Sequence, residues 1–405
     1  MDDCISKSGA ILLTEYGTCT TQALNSTQRN VLDQHFGNFL RVDPTWVPGE
    51  CKLTASHFVG TIVLDGISIL IRPKVPLENL FYMLTYAYDL PEFRKEETQL
   101  SESEDLFEFV VDIFLKQVGR MVRAGLYKSY IDRSENQNYL RGRLQMSQHL
   151  HQNSIHKVRF FQEINEYTAD VLENQILLYT LHQLSFLDFR EQLLTNRTRR
   201  AAAAFHDVSL TPITPKQCDQ IFYTRLNGRY RSAIHLAKLL LQHLSIEEHN
   251  GQTPFAAYMF NMNQVFELFV ARYLEDFFAN HPHLSVEIQD DIWLDIEQNE
   301  KGFPDIVLYR DHRPALVLDT KYKQFKKQPS PADRNQMLVY CHALDLNRGL
   351  LIFADENKVD FLRTFHPQTI LQASNLPLHG SLNEFRARCM DFANALTGAT
   401  SLAGA

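Results

Sequence analysis

The chain has 405 residues, with 40 Lys and Arg against 48 Asp and Glu, a formal net charge of -8 and six cysteines. That length accommodates two or three domains with real apolar cores, and the acidic balance argues against a general nucleic-acid coat. No uninterrupted apolar run is long enough to span a bilayer, and Met1-Asp2-Asp3 does not open as a signal peptide. The cysteines Cys4, Cys19, Cys51, Cys218, Cys341 and Cys389 show no C-x-x-C or zinc spacing, so reduced thiols and a cytoplasmic location are expected. No G-x-x-x-x-G-K-[ST] motif occurs, which excludes nucleoside triphosphate binding by the P-loop route in this chain.

In chain order, residues 1–75 alternate in β fashion, most clearly Thr61 to Leu64, the two-residue turn Asp65-Gly66, and Ile67 to Ile71. Residues 76–250 are mainly helical, with apolar stripes in Leu80 to Tyr88, Leu106 to Val122, Val171 to Leu184 and Ile234 to Leu244. A small β element is expected near Tyr139 to Leu144, and the stretch Glu247 to Pro254, with Asn250-Gly251, reads as a boundary before the last region, 251–405. Within that region Met262 to Phe278 has helical periodicity, and Glu267 shares a stripe with Val270 and Leu274. Two β-rich runs, Ile306 to Tyr309 and Ala315 to Leu318, flank the turn-like cluster Asp311-His312-Arg313-Pro314, and Asp333 to Leu346 reads as a further helix opened by Pro331.

The chemistry-bearing residues lie on that hairpin. With a turn centred on His312, Asp305 and Asp319 face each other across the ladder, their Cβ atoms roughly 5 Å apart. Strand alternation puts Asp319 and Lys321 on one face, while Thr320 points away and leaves its backbone carbonyl available as an oxygen ligand. Two aspartates and a carbonyl suit Mg²⁺, with Mn²⁺ as a substitute, because such an ion keeps several waters and needs no closed protein cage. Lys321 would orient the attacking water or neutralise charge on a phosphate. Glu267 is a candidate third carboxylate and Glu287 its competitor. Gln336 and Tyr340 share a helix face, and Lys323, Lys326, Lys327 and Arg334 form a local basic patch against the single acid Asp333. This patch and the Gln-Tyr pair are candidate DNA contacts, with a solvated loop and a boundary contact as the plainer readings.

Glu267, Pro304-Asp305, Asp319-Thr320-Lys321 and Gln336-x-x-x-Tyr340 resemble the ordered motifs of the PD-(D/E)xK nucleases, in particular the RecB-like branch. Phe58-Val59-Gly60 through Ile69-Leu70-Ile71-Arg72-Pro73-Lys74, Leu140-Arg141-Gly142-Arg143, and Asp170 through Glu173-Asn174-Gln175-Ile176-Leu177 extend the resemblance to McrC, the nuclease subunit of McrBC-type 5-methylcytosine restriction systems. The resemblance implies an α+β multidomain chain. Its parts would be a β-rich, partner-contacting N-terminal domain (1–75), a mainly helical middle (76–250) and a C-terminal nuclease domain (251–405) with a mixed sheet flanked by helices. It implies a Mg²⁺-dependent endonuclease acting on double-stranded DNA, with Asp305, Asp319, Lys321 and Glu267 catalytic. It also implies an McrB-type AAA+ GTPase hexamer as partner, through which alone GTP would enter, and no membrane. Two other functions fit the same residues: a free-standing RecB-like repair nuclease, and a non-cutting activator or docking platform for a GTPase ring. Arg141-Gly142-Arg143, and Arg72 and Lys74 around Pro73, are read either as surface strand residues or as contacts to phosphate or to an acidic partner surface.

Overall fold

The first strands, β1 (Ile11–Thr14), β2 (Thr18–Thr21), β3 (Leu40–Pro44), β4 (Cys51–Ala55), β5 (Phe58–Leu64) and β6 (Ile67–Arg72), confirm the β pattern of the N-terminal region. The computed structural model describes residues 4–5, 9–64, 66–90, 106–155, 158–187, 189, 192–247, 255–289, 291–295, 297–366 and 368–399. Asp65 of the expected turn and the Asn250-Gly251 boundary fall outside them, but the β5–β6 pairing Leu64↔Ile67 is that of a two-residue hairpin connection. One helix, α1 (Ser26–His35), interrupts the strands where no apolar stripe announces it. It starts from an Asn25 and Gln28 capping box.

The chain forms two compact units, one of Met1–Leu106 with Ala257–Ala405 and one of Phe107–Ala256. In the second, α3 (Leu106–Arg123), α4 (Met146–Gln152), α5 (Leu172–Ser185), α6 (Gln192–Ala203) and α7 (Arg231–His243) accompany β7 (Ser129–Gln137), β8 (Arg143–Leu144), β9 (Phe160–Thr168) and β10 (Leu244–Glu247). The small β element expected near Tyr139 is larger than its sequence signal, because β7 and β9 pair along nine residues each, from Ser129↔Thr168 to Gln137↔Phe160. Their polar character hid them from a search for apolar alternation.

Motif residues of this unit serve its architecture. The Asp170 carboxylate accepts from Arg133 (2.5 Å), Gln175 (2.8 Å) and both the N–H and the hydroxyl of Ser209 (2.9 and 2.8 Å). Burial would raise this carboxyl, but those donors outweigh it and hold it down at about 2. Buried Asn174 joins the carbonyls of Tyr127 and Ala169 to the Tyr230 hydroxyl, and Glu173 accepts from Asn227. In Arg141-Gly142-Arg143 the N–H groups of Arg141 and Gly142 donate to Gln162 Oε1, and a Cβ on Gly142 would sit 2.0 Å from the Glu163 carbonyl oxygen. The glycine is needed for close backbone approach, and both arginines remain exposed.

The first unit is completed by α2 (Leu77–Ala87), β11 (Phe255–Asn261), α8 (Met262–Phe278), β12 (Leu284–Ile288), β13 (Ile292–Trp293), β14 (Lys301–Gly302), β15 (Ile306–Arg310), β16 (Arg313–Lys321), α9 (Pro331–Ala343), β17 (Arg348–Phe353), β18 (Phe361–Phe365), β19 (Thr369–Asn375) and α10 (Leu382–Ala399). One sheet sets β1, β6, β5 and β11 side by side; the other runs β12-β15-β16-β17-β19-β18. The second is mixed, since β12–β15–β16 pair antiparallel while β16–β17–β19 pair parallel. The α9 helix makes the crossover between β16 and β17, so Met337, Tyr340 and Cys341 pack on Val307, Val317, Leu351 and Phe353. Chain order hides the pairing of the two segments of this unit. Asn79 of α2 donates to the carbonyls of Leu378 and Gly380, and Tyr82, Phe269 and Phe385 cluster with ring centroids 5.6–6.0 Å apart.

Cys4 and Cys19 form a disulfide, Cα atoms 6.1 Å apart, contrary to the expected reduced thiols. The cause is tertiary: the Leu12 N–H donates to the Cys4 carbonyl and holds Cys4 within reach of Cys19 on β2. The other four cysteines are buried free thiols. Among the described residues no helix is long and apolar enough to cross a membrane.

Gly60 holds φ at +148°, and a Cβ there would lie 1.9 Å from the Tyr258 carbonyl oxygen. Gly60→Ala should therefore cost about 3 kcal/mol or more of stability. Chemical denaturation measures this, and an unchanged midpoint would refute the close approach of β5 and β11.

Candidate active site

The β15–β16 hairpin turns on Asp311 and His312, both left-handed (φ 49° and 64°), as a two-residue connection of this kind requires. Arg313 and Pro314 therefore belong to β16 and pair with Arg310 and Tyr309, outside the turn in which the sequence pattern grouped them. The register then slips by one residue at Ala315, a β-bulge, and runs from Leu308↔Leu316 to Ile306↔Leu318. The next pair in line is Asp305 opposite Asp319. It is the pairing that a turn centred on His312 would give, reached here by a tighter turn plus a bulge.

Asp319 ends the run Leu316, Val317, Leu318, each at most 2% exposed, and is itself 2% exposed. Lys321 Nζ lies 2.5 Å from Asp319 Oδ2. Burial, and then the charge of Asp305, push the Asp319 carboxyl up to about 7, with Lys321 pulling the other way. Burial also raises Asp305, opposed by hydrogen bonds from Thr320 and by Lys321. On Lys321 burial acts downward, but the Asp319, Asp305 and Asp333 carboxylates prevail and raise it.

Thr320 departs from expectation. Its N–H (2.6 Å) and its hydroxyl (2.8 Å) both donate to Asp305 Oδ2, so the side chain clasps one of the acids and does not simply point away. The Lys321 carbonyl accepts from Ala354 N–H across the parallel ladder. Alternation therefore turns the N–H and C=O of Thr320 to the other edge, where Asp305 stands. Nothing in the spacing D-T-K distinguishes a threonine used this way from one facing solvent.

Glu267, on α8, accepts from Gln289 (2.5 Å). Its carboxyl is raised by burial first and then by Asp305, and lowered by Gln289 and Lys321, so it shares the electrostatics of the hairpin acids. Glu287 stands exposed on β12 opposite Val307. Gln336 and Tyr340 do share a face: Gln336 donates to the Tyr340 hydroxyl (3.1 Å), which donates to the Phe303 carbonyl (3.2 Å). Tyr340 is buried and steadies the loop that delivers Pro304-Asp305, a role beyond the two weighed from sequence. Of the basic patch, Lys323 is engaged by Asp333 (2.7 Å), while Lys326 and Lys327 are exposed. Asp333 is also the capping-box partner of Ser330 at the start of α9. Burial would raise it, but Lys323 and Ser330 hold it below the usual carboxylate range. Among the described residues no group of three or more His, Cys, Asp and Glu is assembled to cage a metal.

The fold is thus a mixed α+β sheet with two acids and a lysine gathered at the end of one strand, and similarity to known proteins says which family it belongs to. The chain belongs to the family described as McrBC 5-methylcytosine restriction system component, whose model matches residues 53–354. It is similar to the Type IV methyl-directed restriction enzyme EcoKMcrBC of Escherichia coli strain K12, at 23% identity over 197 residues, 48% of this chain and 55% of that protein. It thus spans about half the length of that curated relative. Among solved structures, its fold is similar to a chain of the refined half-complex from the tetradecameric assembly of Thermococcus gammatolerans McrB AAA+ hexamers with bound McrC. The TM-score is 0.62 at 20% identity, covering 95% of this chain and 100% of that one.

Asp319 ionises in the fold near 7 against an ordinary 3.8. With the folded value above the unfolded one, the protonated group favours the fold fully below about pH 4, and this contribution is lost as pH rises through about 7. In EDTA, Asp319→Asn should lose less thermal stability than the parent across that window. Parent and variant curves that stay parallel throughout it would contradict a buried, neutral-leaning carboxyl.

Proposed function

We propose that this chain is the DNA-cutting subunit of a McrBC-type restriction system, with a PD-(D/E)xK-type centre at the end of β16, and that it docks on and stimulates an McrB-type AAA+ GTPase hexamer. The observation that carries the reading is the gathering of Asp305, Asp319 and Lys321 on one hairpin, with an aspartate buried at the end of an apolar strand. Family membership and the likeness in fold to the T. gammatolerans chain, whose assembly holds McrB AAA+ hexamers with bound McrC, support the partner.

The donor set fits Mg²⁺. Two carboxylates share one ammonium, and the buried Asp319 holds its proton up to about 7, so the site carries more acid than its own lysine balances. Asp305, Asp319 and the Thr320 carbonyl would hold the ion, with Glu267 assisting, and Mn²⁺ would satisfy the same oxygens. When bound, such an ion lowers the pKa of a coordinated water and offsets charge on the phosphate. The chain's own residues do the rest. Thr320 fixes the Asp305 carboxylate by two hydrogen bonds, Tyr340 fixes the loop before it, and Lys321 would donate to the attacking water or to a phosphate oxygen. GTP would act only through the partner ring.

Asp305→Ala, Asp319→Ala and Lys321→Ala should each lower cleavage of plasmid DNA by roughly 10²-fold or more in the presence of the GTPase, GTP and Mg²⁺. The same variants should still stimulate GTP hydrolysis. Unimpaired cutting by Asp319→Ala would sink the site assignment, and a chain that stimulates the ring but never cuts would be a docking platform.

A further inference from the structure

Within the first unit a cleft of about 810 Å³ opens where β16 and β17 end, lined by the turn after β1, by Lys74, by the segment from Tyr322 to Pro331, and by Asp355, Glu356 and His379. Its volume is within the range of roughly 300–1,000 Å³ common to ligand sites. We propose that this cleft receives a nucleotide of the DNA strand beside the one being cut, its base against the Tyr16 wall and its phosphates at Lys74 and Lys326. The inference rests on the nuclease reading above and adds a binding subsite to it.

The walls are fixed from the interior. Buried Glu15 accepts from the Lys74 N–H and the Tyr322 hydroxyl, both at 2.7 Å, and so ties the turn after β1 to the residue that follows Lys321. Tyr16 then projects at the rim, 47% exposed, on a left-handed backbone (φ 57°) that ordinary residues avoid unless their surroundings enforce it. Lys74 Nζ lies 4.8 Å from the centre of its ring. Much of the remaining lining is apolar or amide: Phe353, Leu378, Gln324 and Gln328.

The charges favour an anion. Three lysines, Lys74, Lys323 and Lys326, line the cleft against two acids, each held by donors of the wall: Asp355 accepts from the N–H groups of Phe325 and Asn357, and Glu356 accepts from those of Leu378 and His379 and faces His379 Nδ1 at 2.6 Å. Lys323 is bound to Asp333, whose charge also reaches Asp319 and Lys321, so this ion pair joins the cleft to the acids of the hairpin. Lys326 is exposed, and Lys74 stands over the Tyr16 ring in the field of Glu15. The exposed Tyr16 ring beside the ammonium groups of Lys74 and Lys326, in a cleft that begins one residue beyond the proposed catalytic lysine, is the combination that binds a splayed nucleic-acid strand: bases stack on the ring and phosphates meet the cations.

The test is fluorescence anisotropy of a labelled oligonucleotide of roughly 12 nucleotides, titrated with the full chain in EDTA. Tyr16→Ala and Lys326→Glu should each weaken binding about tenfold, whereas Lys216→Glu, on the exposed surface of the other unit, should change it less than about twofold. Lys326→Glu should also reduce the salt dependence by about one counterion. An oligonucleotide carrying 5-iodouracil should crosslink on irradiation to Tyr16 or Tyr322. Variants that bind like the parent, or a crosslink confined to other residues, would overturn the proposal. So would Tyr16-dependent binding of deoxynucleoside monophosphate with oligonucleotide binding indifferent to Tyr16, which would make a free nucleotide the occupant. Cleavage separates the two readings: if Asp319→Ala still cuts while Tyr16→Ala weakens binding, the catalytic assignment fails and the cleft stands.

Discussion

Burying the Asp319 carboxyl at the end of an apolar strand is the constraint on which the rest of the site depends. A carboxylate taken out of water beside a second one is costly unless charge and hydrogen bonds replace the lost solvent. The surroundings supply part of that compensation. Lys321 reaches back two positions along the same strand face, and Thr320, on the alternate face, secures Asp305. What remains uncompensated shows in the upward displacement of both carboxyls. That displacement is what the proposed Mg²⁺ would relieve.

The supporting layers lie at increasing distance along the chain. Tyr340 comes from α9 and holds the loop before Asp305; Glu267 comes from α8, before the hairpin; Glu15 comes from the turn after β1 and grips Tyr322 just past Lys321. The first 106 residues thus contribute to the same compact unit as the last 149, through α2 on α8 and α10 as well as through Glu15. Disturbance in the N-terminal strands would therefore reach the end of β16 directly. The second unit keeps its family motifs for internal order, with Asp170 and Asn174 as hubs that tie strands, helices and loops together.

Within a restriction-system component, the cleft proposed to hold a strand and the hairpin proposed to cut it belong to one compact unit. The overall acidity of the chain and a local cationic rim are compatible because net charge sums the whole surface, whereas along this cleft Lys74, Lys323 and Lys326 outnumber Asp355 and Glu356. Net charge governs long-range behaviour; which side chains remain uncommitted governs a site.

Periodicity in the sequence was enough to reveal the helices Met262–Phe278, Leu172–Ser185 and Arg231–His243, because each has an apolar face spaced for one side of a helix. Alternation set Lys321 on the Asp319 face, since strand geometry is local, whereas the register that brings Asp305 toward Asp319 comes from a two-residue turn and a bulge that distance from the turn did not show. The polar strands β7 and β9 and the helix α1 escaped, for their stability comes from ladder pairing and capping rather than from an apolar pattern. The Cys4–Cys19 bridge, the grip of Glu15 on Tyr322 and the bond from Tyr340 to Phe303 were decided only when distant segments met. Local rules fix which way a side chain faces; its partner across 15, 307 or 37 residues depends on how the whole chain packs.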